Sequence, residues 1–275
     1  MRVSARWKLS CLATLLMLGG CPAPPPAPAP ATSPPGAAPS FPVPAPHAGR
    51  PYDVAAESSL LTILVYRGGP LASAGHNHVI ASHQLSGTIY VPADLTRSSF
   101  ELHVPVATLT VDEPALRVQQ GGADFPPGVS EEAKAGTRRN MLGPALLDAE
   151  HHPEIVLRAL RLEPPAGGTT PAGGAAAESA SAPSDGVRAW VESTVRGQVR
   201  SFAVPVRYRL ADGELQAAGE FPLKQSELGL TPFSALLGAL QVQDEMQVSF
   251  KVVARAATVN PVSPSPTGGG APPPR

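Results

Sequence analysis

Phe202-Ala203-Val204-Pro205-Val206-Arg207-Tyr208-Arg209-Leu210 alternates strictly in polarity, and Asp212-Gly213 follows it. Phe202, Val204, Val206, Tyr208 and Leu210 share one face, against Ala203, Arg207 and Arg209 on the other. A period of two is that of a half-buried β-strand, and Asp-Gly marks a tight hairpin. Beyond the turn, Leu215, Ala217, Gly219, Phe221 and Leu223 face away from Glu214, Gln216 and Glu220. The stretch therefore reads as two antiparallel strands with one dry face and one wet face.

The same pattern recurs on both sides. Phe100, Leu102, Val104 and Val106 alternate with Glu101, His103 and Pro105. Met246, Val248, Phe250, Val252 and Ala254 alternate with Glu245, Gln247, Ser249, Lys251 and Arg255. Val187, Ala189, Val191 and Val195 give a weaker copy. An apolar run, Leu60 to Val65, and an alternating segment, Gln84 to Val91, complete the set. Strand after strand of this kind makes an antiparallel sheet that must cover its dry face, as a sandwich or as a closed barrel. Helix signals are few. Ser130 is placed to cap a helix from Glu131-Glu132 to about Leu142, with Gly143-Pro144 as its stop. A second short helix is expected over Phe233 to Leu240, apolar nearly all round and so buried, as a plug or lid.

Outside this β-rich region the composition changes. Residues 1–21 read as an export signal: Arg2, Arg6 and Lys8 precede a short apolar core, Leu9 to Leu18. It ends in Leu18-Gly19-Gly20-Cys21, which resembles a bacterial lipobox. Cys21 is therefore the expected lipid anchor, and the chain's other cysteine, Cys11, would leave with the signal. Residues 22–50 form a Pro/Ala-rich, polyproline-like linker without a core, and 258–275 form a similar tail. A third such patch, about 164–185, interrupts the folded region as a disordered loop insertion. The folded domain is expected over residues 51–257. The net charge of −1 includes no basic block, so nothing suggests nucleic acid.

Ala74-Gly75-His76-Asn77-His78-Val79 sits where one expected strand hands over to the next. On extended backbone His76 and His78 point the same way, a pair able to bind a metal or haem iron. A third ligand would have to come from His83, His103, His151, His152 or Asp112, none of which stands at a recognised spacing. The alternative is a structural corner. His151-His152 before Pro153 reads as a turn, and Arg138-Arg139 as a helix face. No Gly-x-Ser-x-Gly elbow or His-Glu-x-x-His motif supports an enzyme.

The order of motifs resembles the YceI-like family. The similarity rests on Gly75-His76-Asn77-His78 with Gly87-Thr88-Ile89, and on Asn140-Met141-Leu142-Gly143-Pro144 with Leu147 to Ile155. It also rests on the hairpin from Val187 through Gly197 to Val206, and on Phe221-Pro222-Leu223-Lys224-Gln225-Ser226-Glu227-Leu228-Gly229-Leu230. The resemblance implies a mainly β fold, an antiparallel lipocalin-like β-barrel with one or two short helices. It also implies a polyisoprenoid or related amphipathic lipid held inside, in a periplasmic protein. The side chains expected to line the hollow are Leu85, Gly87, Ile89, Phe100, Leu102, Val104, Phe202, Val204, Val206, Leu215, Ala217, Phe221, Val248 and Phe250. Gly87, Ala217 and Gly219 are expected to leave room inside. The address that follows is the bacterial envelope, anchored by acyl chains and facing the periplasm. Pro22 in place of an aspartate points to the outer membrane. A barrel filled by its own side chains, with no ligand, is the remaining alternative.

Overall fold

The computed structural model describes residues 49–164 and 186–257. The expected signal, the linker as far as residue 48, the insertion from 165 to 185 and the tail lie outside the described residues. Twelve strands and two helices follow in order. The strands are β1 (Arg50–Val54), β2 (Leu60–Gly68), β3 (His78–Ser82), β4 (Ser86–Val91), β5 (Ser99–Pro105) and β6 (Thr110–Val111). After the helices α1 (Pro114–Gln120) and α2 (Glu131–Leu142) come β7 (Glu154–Glu163), β8 (Gly186–Val195), β9 (Gln198–Ala211), β10 (Glu214–Lys224), β11 (Ser234–Ala235) and β12 (Leu240–Ala256). Arg50, expected at the end of the linker, already opens β1.

Eight strands close a barrel. The hydrogen-bonded order is β1-β4-β5-β7-β8-β9-β10-β12, and β12 pairs back onto β1 through Tyr52↔Ala256 and Val54↔Ala254. Every pairing is antiparallel. Closure removes the exposed edges that an open sheet would present. The long β12 also carries β2 along Leu60–Gly68, and β3 and β6 continue from β2 as a branch. The β12–β2 ladder shifts register between Val242 and Met246, and the same edge of β12 passes from β2 to β1 between Lys251 and Ala254.

The tight turns follow the sequence. Asp212 and Gly213 both have positive φ (51° and 77°), and so do Arg196 and Gly197 (49° and 70°). Two such residues in succession match the twist of a hairpin, and Gly takes the second position without strain.

The main core lies inside the barrel, with Val104, Ala189, Val191, Val248, Val252 and Ala254 almost fully buried. A smaller cluster lies outside it. Leu64, Val79, Ala81, Leu116 and Phe125 pack α1 and its following loop onto the outer face of β2 and β3. β3 is therefore covered on both faces, and all five of its residues are buried. A strand so placed reads as a continuous apolar run rather than an alternation.

Helix α2 has the expected bounds, and the Ser130 hydroxyl accepts from the Ala133 N–H. The helix expected over Phe233–Leu240 is not formed. Ser234-Ala235 pair with Leu240-Gln241 as β11, and one 3-10 turn follows. Leu236 and Leu237 have φ of 51° and 55°, incompatible with an α-helix, and both are exposed.

Candidate functional site: an apolar barrel interior and a buried histidine corner

The interior of the barrel holds a cavity of about 310 Å³. Its walls follow from the alternation: each strand turns every second side chain inward. Leu85, Ile89, Phe100, Leu102, Val104, Phe202, Val204, Val206, Leu215, Ala217, Phe221, Val248 and Phe250 all border it. Gly87 does not. It has φ +131°, and a Cβ there would lie 2.1 Å from the Glu101 carbonyl oxygen, so its missing side chain lets β5 approach β4. Gly219 leaves no room either. A Cβ on it would stand 2.2 Å from the Pro205 carbonyl oxygen and 2.7 Å from the Phe250 ring, which covers it. Of the three small residues expected to make space, Ala217 alone borders the cavity.

Sequence alternation missed part of the lining. Leu157 and Leu162 come from β7, Leu146 and Leu147 from the turn after α2, and Leu228 and Leu230 from the loop after β10. The few polar side chains on the wall are Ser98, Ser193, Tyr208 and Gln225. Two of these face the protein rather than the hollow: Gln225 Nε2 donates to the Gln243 carbonyl at 2.9 Å, and Ser193 Oγ to the Arg200 carbonyl at 3.4 Å. Met141, Leu147, Leu228 and Leu230 are buried and cover one end of the barrel. At the opposite rim, beside the β9–β10 turn, Leu210 is 41% exposed.

The Gly-His-Asn-His segment builds a different structure. Asp112 takes a left-handed conformation, φ 54°, which Asp tolerates better than most residues. This turns its carboxylate toward the start of β3. Asp112 accepts from His78 Nδ1 at 2.6 Å, from the Val79 N–H at 2.9 Å and from Arg117 Nη1 at 2.6 Å. Arg117 donates in addition to the carbonyls of Asn77 and Pro126. His78 Nε2 faces the Thr137 hydroxyl of α2 at 3.1 Å. Asn77 accepts from the Arg67 N–H and donates to the Asp124 carbonyl.

Asp112 is 1% exposed and Arg117 2%. Burial pushes the Asp112 carboxyl upward. The hydrogen bonds from His78, the Val79 N–H and Arg117 outweigh it and hold the group below its ordinary value of 3.8. A buried ion pair of this kind is tolerable because the remaining donors are satisfied.

This arrangement does not fit a metal or haem. His76 is exposed, its ring centroid 6.2 Å from that of His78. Both nitrogens of His78 are engaged. Of the possible third ligands, Asp112 alone reaches His78, as a hydrogen-bond acceptor. His83 pairs with Glu113, His103 with Glu101 and Glu154, and His151 with Asp148. Among the described residues no group of three His, Cys, Asp or Glu side chains is placed to hold a metal ion. The segment is a structural corner that ties β3 to α1, the loop before α2, and α2 itself.

Comparison with known proteins places this architecture. Among solved structures, BcnA of Burkholderia cenocepacia is similar at 17% identity and a TM-score of 0.48, covering 74% of this chain and 99% of that one. A polyisoprenoid binding domain from Saccharophagus degradans, implicated in plant cell wall breakdown, matches at 11% identity and a TM-score of 0.44, over 75% and 98%. The YceI protein of Campylobacter jejuni matches at 9% identity and a TM-score of 0.41, over 63% and 82%. No curated protein matches the chain. The family model for the YceI-like domain matches residues 56–254, from just after β1 to within two residues of the end of β12. With that match and an eight-stranded antiparallel barrel around an apolar interior, the chain belongs to the YceI-like family.

Proposed function

We propose that this protein binds or carries an isoprenoid or related amphipathic lipid inside its barrel, tethered to the bacterial envelope through acyl chains on Cys21. The observation that carries this reading is the cavity of about 310 Å³, walled almost wholly by aliphatic and aromatic side chains. Such a space selects by shape and hydrophobicity. Each buried methylene contributes about 0.8 kcal/mol, so a branched hydrocarbon chain binds without many polar contacts. The family's implied ligand is of this chemistry.

The tether rests on the lipobox-like Leu18-Gly19-Gly20-Cys21, and the outer membrane on Pro22 following the cysteine. Protein purified from its native host and extracted with organic solvent is expected to yield a polyprenyl lipid by mass spectrometry. Extracts free of lipid from well-folded protein overturn the carrier reading. The intact mass of the mature chain tests the anchor separately: a chain beginning at an unmodified Cys21 removes it.

A further inference from the structure

The barrel displays an uncharged apolar tip that its own folding does not need. Two segments meet there: Gly68–Gly75, which leaves β2, and Thr231–Leu240, which enters β12. Neither contains a charged residue. They are fastened to each other by the Leu71 N–H, which donates to the Ala239 carbonyl at 2.8 Å, and the second closes on itself through the Val242 N–H, which donates to the Phe233 carbonyl at 2.9 Å. Gly69 permits the contact, since a Cβ on it would lie 2.6 Å from the Ala239 oxygen. The tip is therefore a built unit, two loops on one base.

Four large apolar side chains project from it. Leu237 is 108% exposed, Leu236 67%, Leu71 45% and Phe233 36%. The other large apolar side chains exposed among the described residues, Val118, Val199 and Leu210, sit on separate elements. Leu236 and Leu237 are also in the left-handed backbone region, where Gly, Asn or Asp is strongly favoured and a bulky side chain is strained. Each leucine is thus unfavourable twice over, in its backbone and in its contact with water. A turn of this shape serving only to connect strands would carry Asn or Gly.

We infer that this tip inserts into the apolar face of a lipid bilayer. Four side chains bury far less than the roughly 1,200 Å² that a stable protein–protein interface requires. Insertion into a bilayer has no such threshold, because each apolar side chain adds its own transfer free energy. The lack of charge points the same way. A protein partner is specified by complementary charged and polar groups, and the tip offers no charge and only Ser73, Thr231 and Ser234 as polar side chains, while a charge-free loop crosses the headgroup region at little desolvation cost. Beside the tip, Arg67 donates from Nη1 to the Gly75 carbonyl at 2.9 Å, an exposed cation next to the uncharged segments. The inference concerns the outer surface and stands apart from the ligand reading.

The test uses the full chain with Cys21→Ser, which cannot be acylated, mixed with neutral phosphatidylcholine vesicles in a flotation assay. The protein is expected to float with the vesicles and to remain bound at high salt. Leu236→Asn/Leu237→Asn in the same chain is expected to weaken partitioning about tenfold or more. The melting temperature of this variant is expected to rise, because Asn relieves the backbone strain. The inference is overturned if the parent chain stays with the soluble fraction. It is overturned equally if the variant binds as well as the parent, or if binding needs anionic vesicles and disappears in salt. A dimer in sedimentation analysis that the same two substitutions dissociate would assign the tip to a second copy instead.

Discussion

Asp112 shows how much of this domain turns on one side chain. It is the common acceptor for His78, the Val79 N–H and Arg117, and removing it leaves Arg117 as an unpaired buried cation. Breaking a buried pair from one side costs about 3–5 kcal/mol. Asp112→Asn is therefore expected to lower the unfolding free energy by about 3 kcal/mol, read from urea denaturation at neutral pH. The folded carboxyl is depressed relative to its ordinary value, so its stabilisation is present above 3.8 and fades as pH falls through the lower folded value. Acid titration of stability will show a loss in that window, and the Asn variant will lack that part of it. At this scale the sequence was legible only on one side. The Gly-His-Asn-His segment read as either a ligand pair or a corner, and its partners lie tens of residues away, where no spacing rule connects His78 to Asp112 or Thr137. One local signal was available: Pro114 stands at the first turn of α1, where proline starts helices, directly after the Asp112 bend.

Individual elements followed their sequence wherever one rule acted alone. Helix α2 begins at its Ser130 cap, and Ser130→Ala is expected to cost about 1 kcal/mol in chemical denaturation. The strands with unbroken alternation, β5, β9, β10 and β12, turn their expected faces inward. β7 was missed because the register shifts between Ala159 and Arg161. The bulge moves the inward set from Leu157 to Leu162 out of step, so no single period describes the strand. Phe233–Leu240 failed for another reason, since β12 offered the segment a ladder to join. Gly87 was read as a space-maker and is a contact point. Gly87→Ala places a Cβ against the Glu101 carbonyl in a backbone region that alanine rarely enters. Its expected cost is more than about 2 kcal/mol, visible as a lower urea midpoint, with the β4–β5 pairing loosened first in hydrogen exchange.

Taken as a whole, the antiparallel sheet was legible in the alternation, which left sandwich and barrel open, and the barrel was legible only through the resemblance of the motifs to the YceI-like family. The volume inside was not, because it depends on how far opposite walls stand apart. Leu157, Leu162, Leu228 and Leu230 reach that volume from stretches whose patterns are broken or short. Ala217 is the small side chain through which the volume can be tested. Ala217→Trp is expected to fill the cavity while keeping the β10 ladder, at about 1–3 kcal/mol from overpacking. Solvent extracts of this variant should carry little or none of the lipid recovered from the parent. An unchanged yield would place the lipid elsewhere.

β12 has one more consequence, which concerns time. It is the last strand among the described residues, and it touches β10, β2 and β1, pairing with the last of these across at least 200 residues, as in Val54↔Ala254. Until it has left the ribosome the nascent polypeptide has staves but no hoop, and its greasy side stays open along a seam. Such distant pairings are slow to form, so the newborn chain stays pliable for longer than a helical protein of its length. That delay makes the seventeen-residue β12 the moment of commitment to shape.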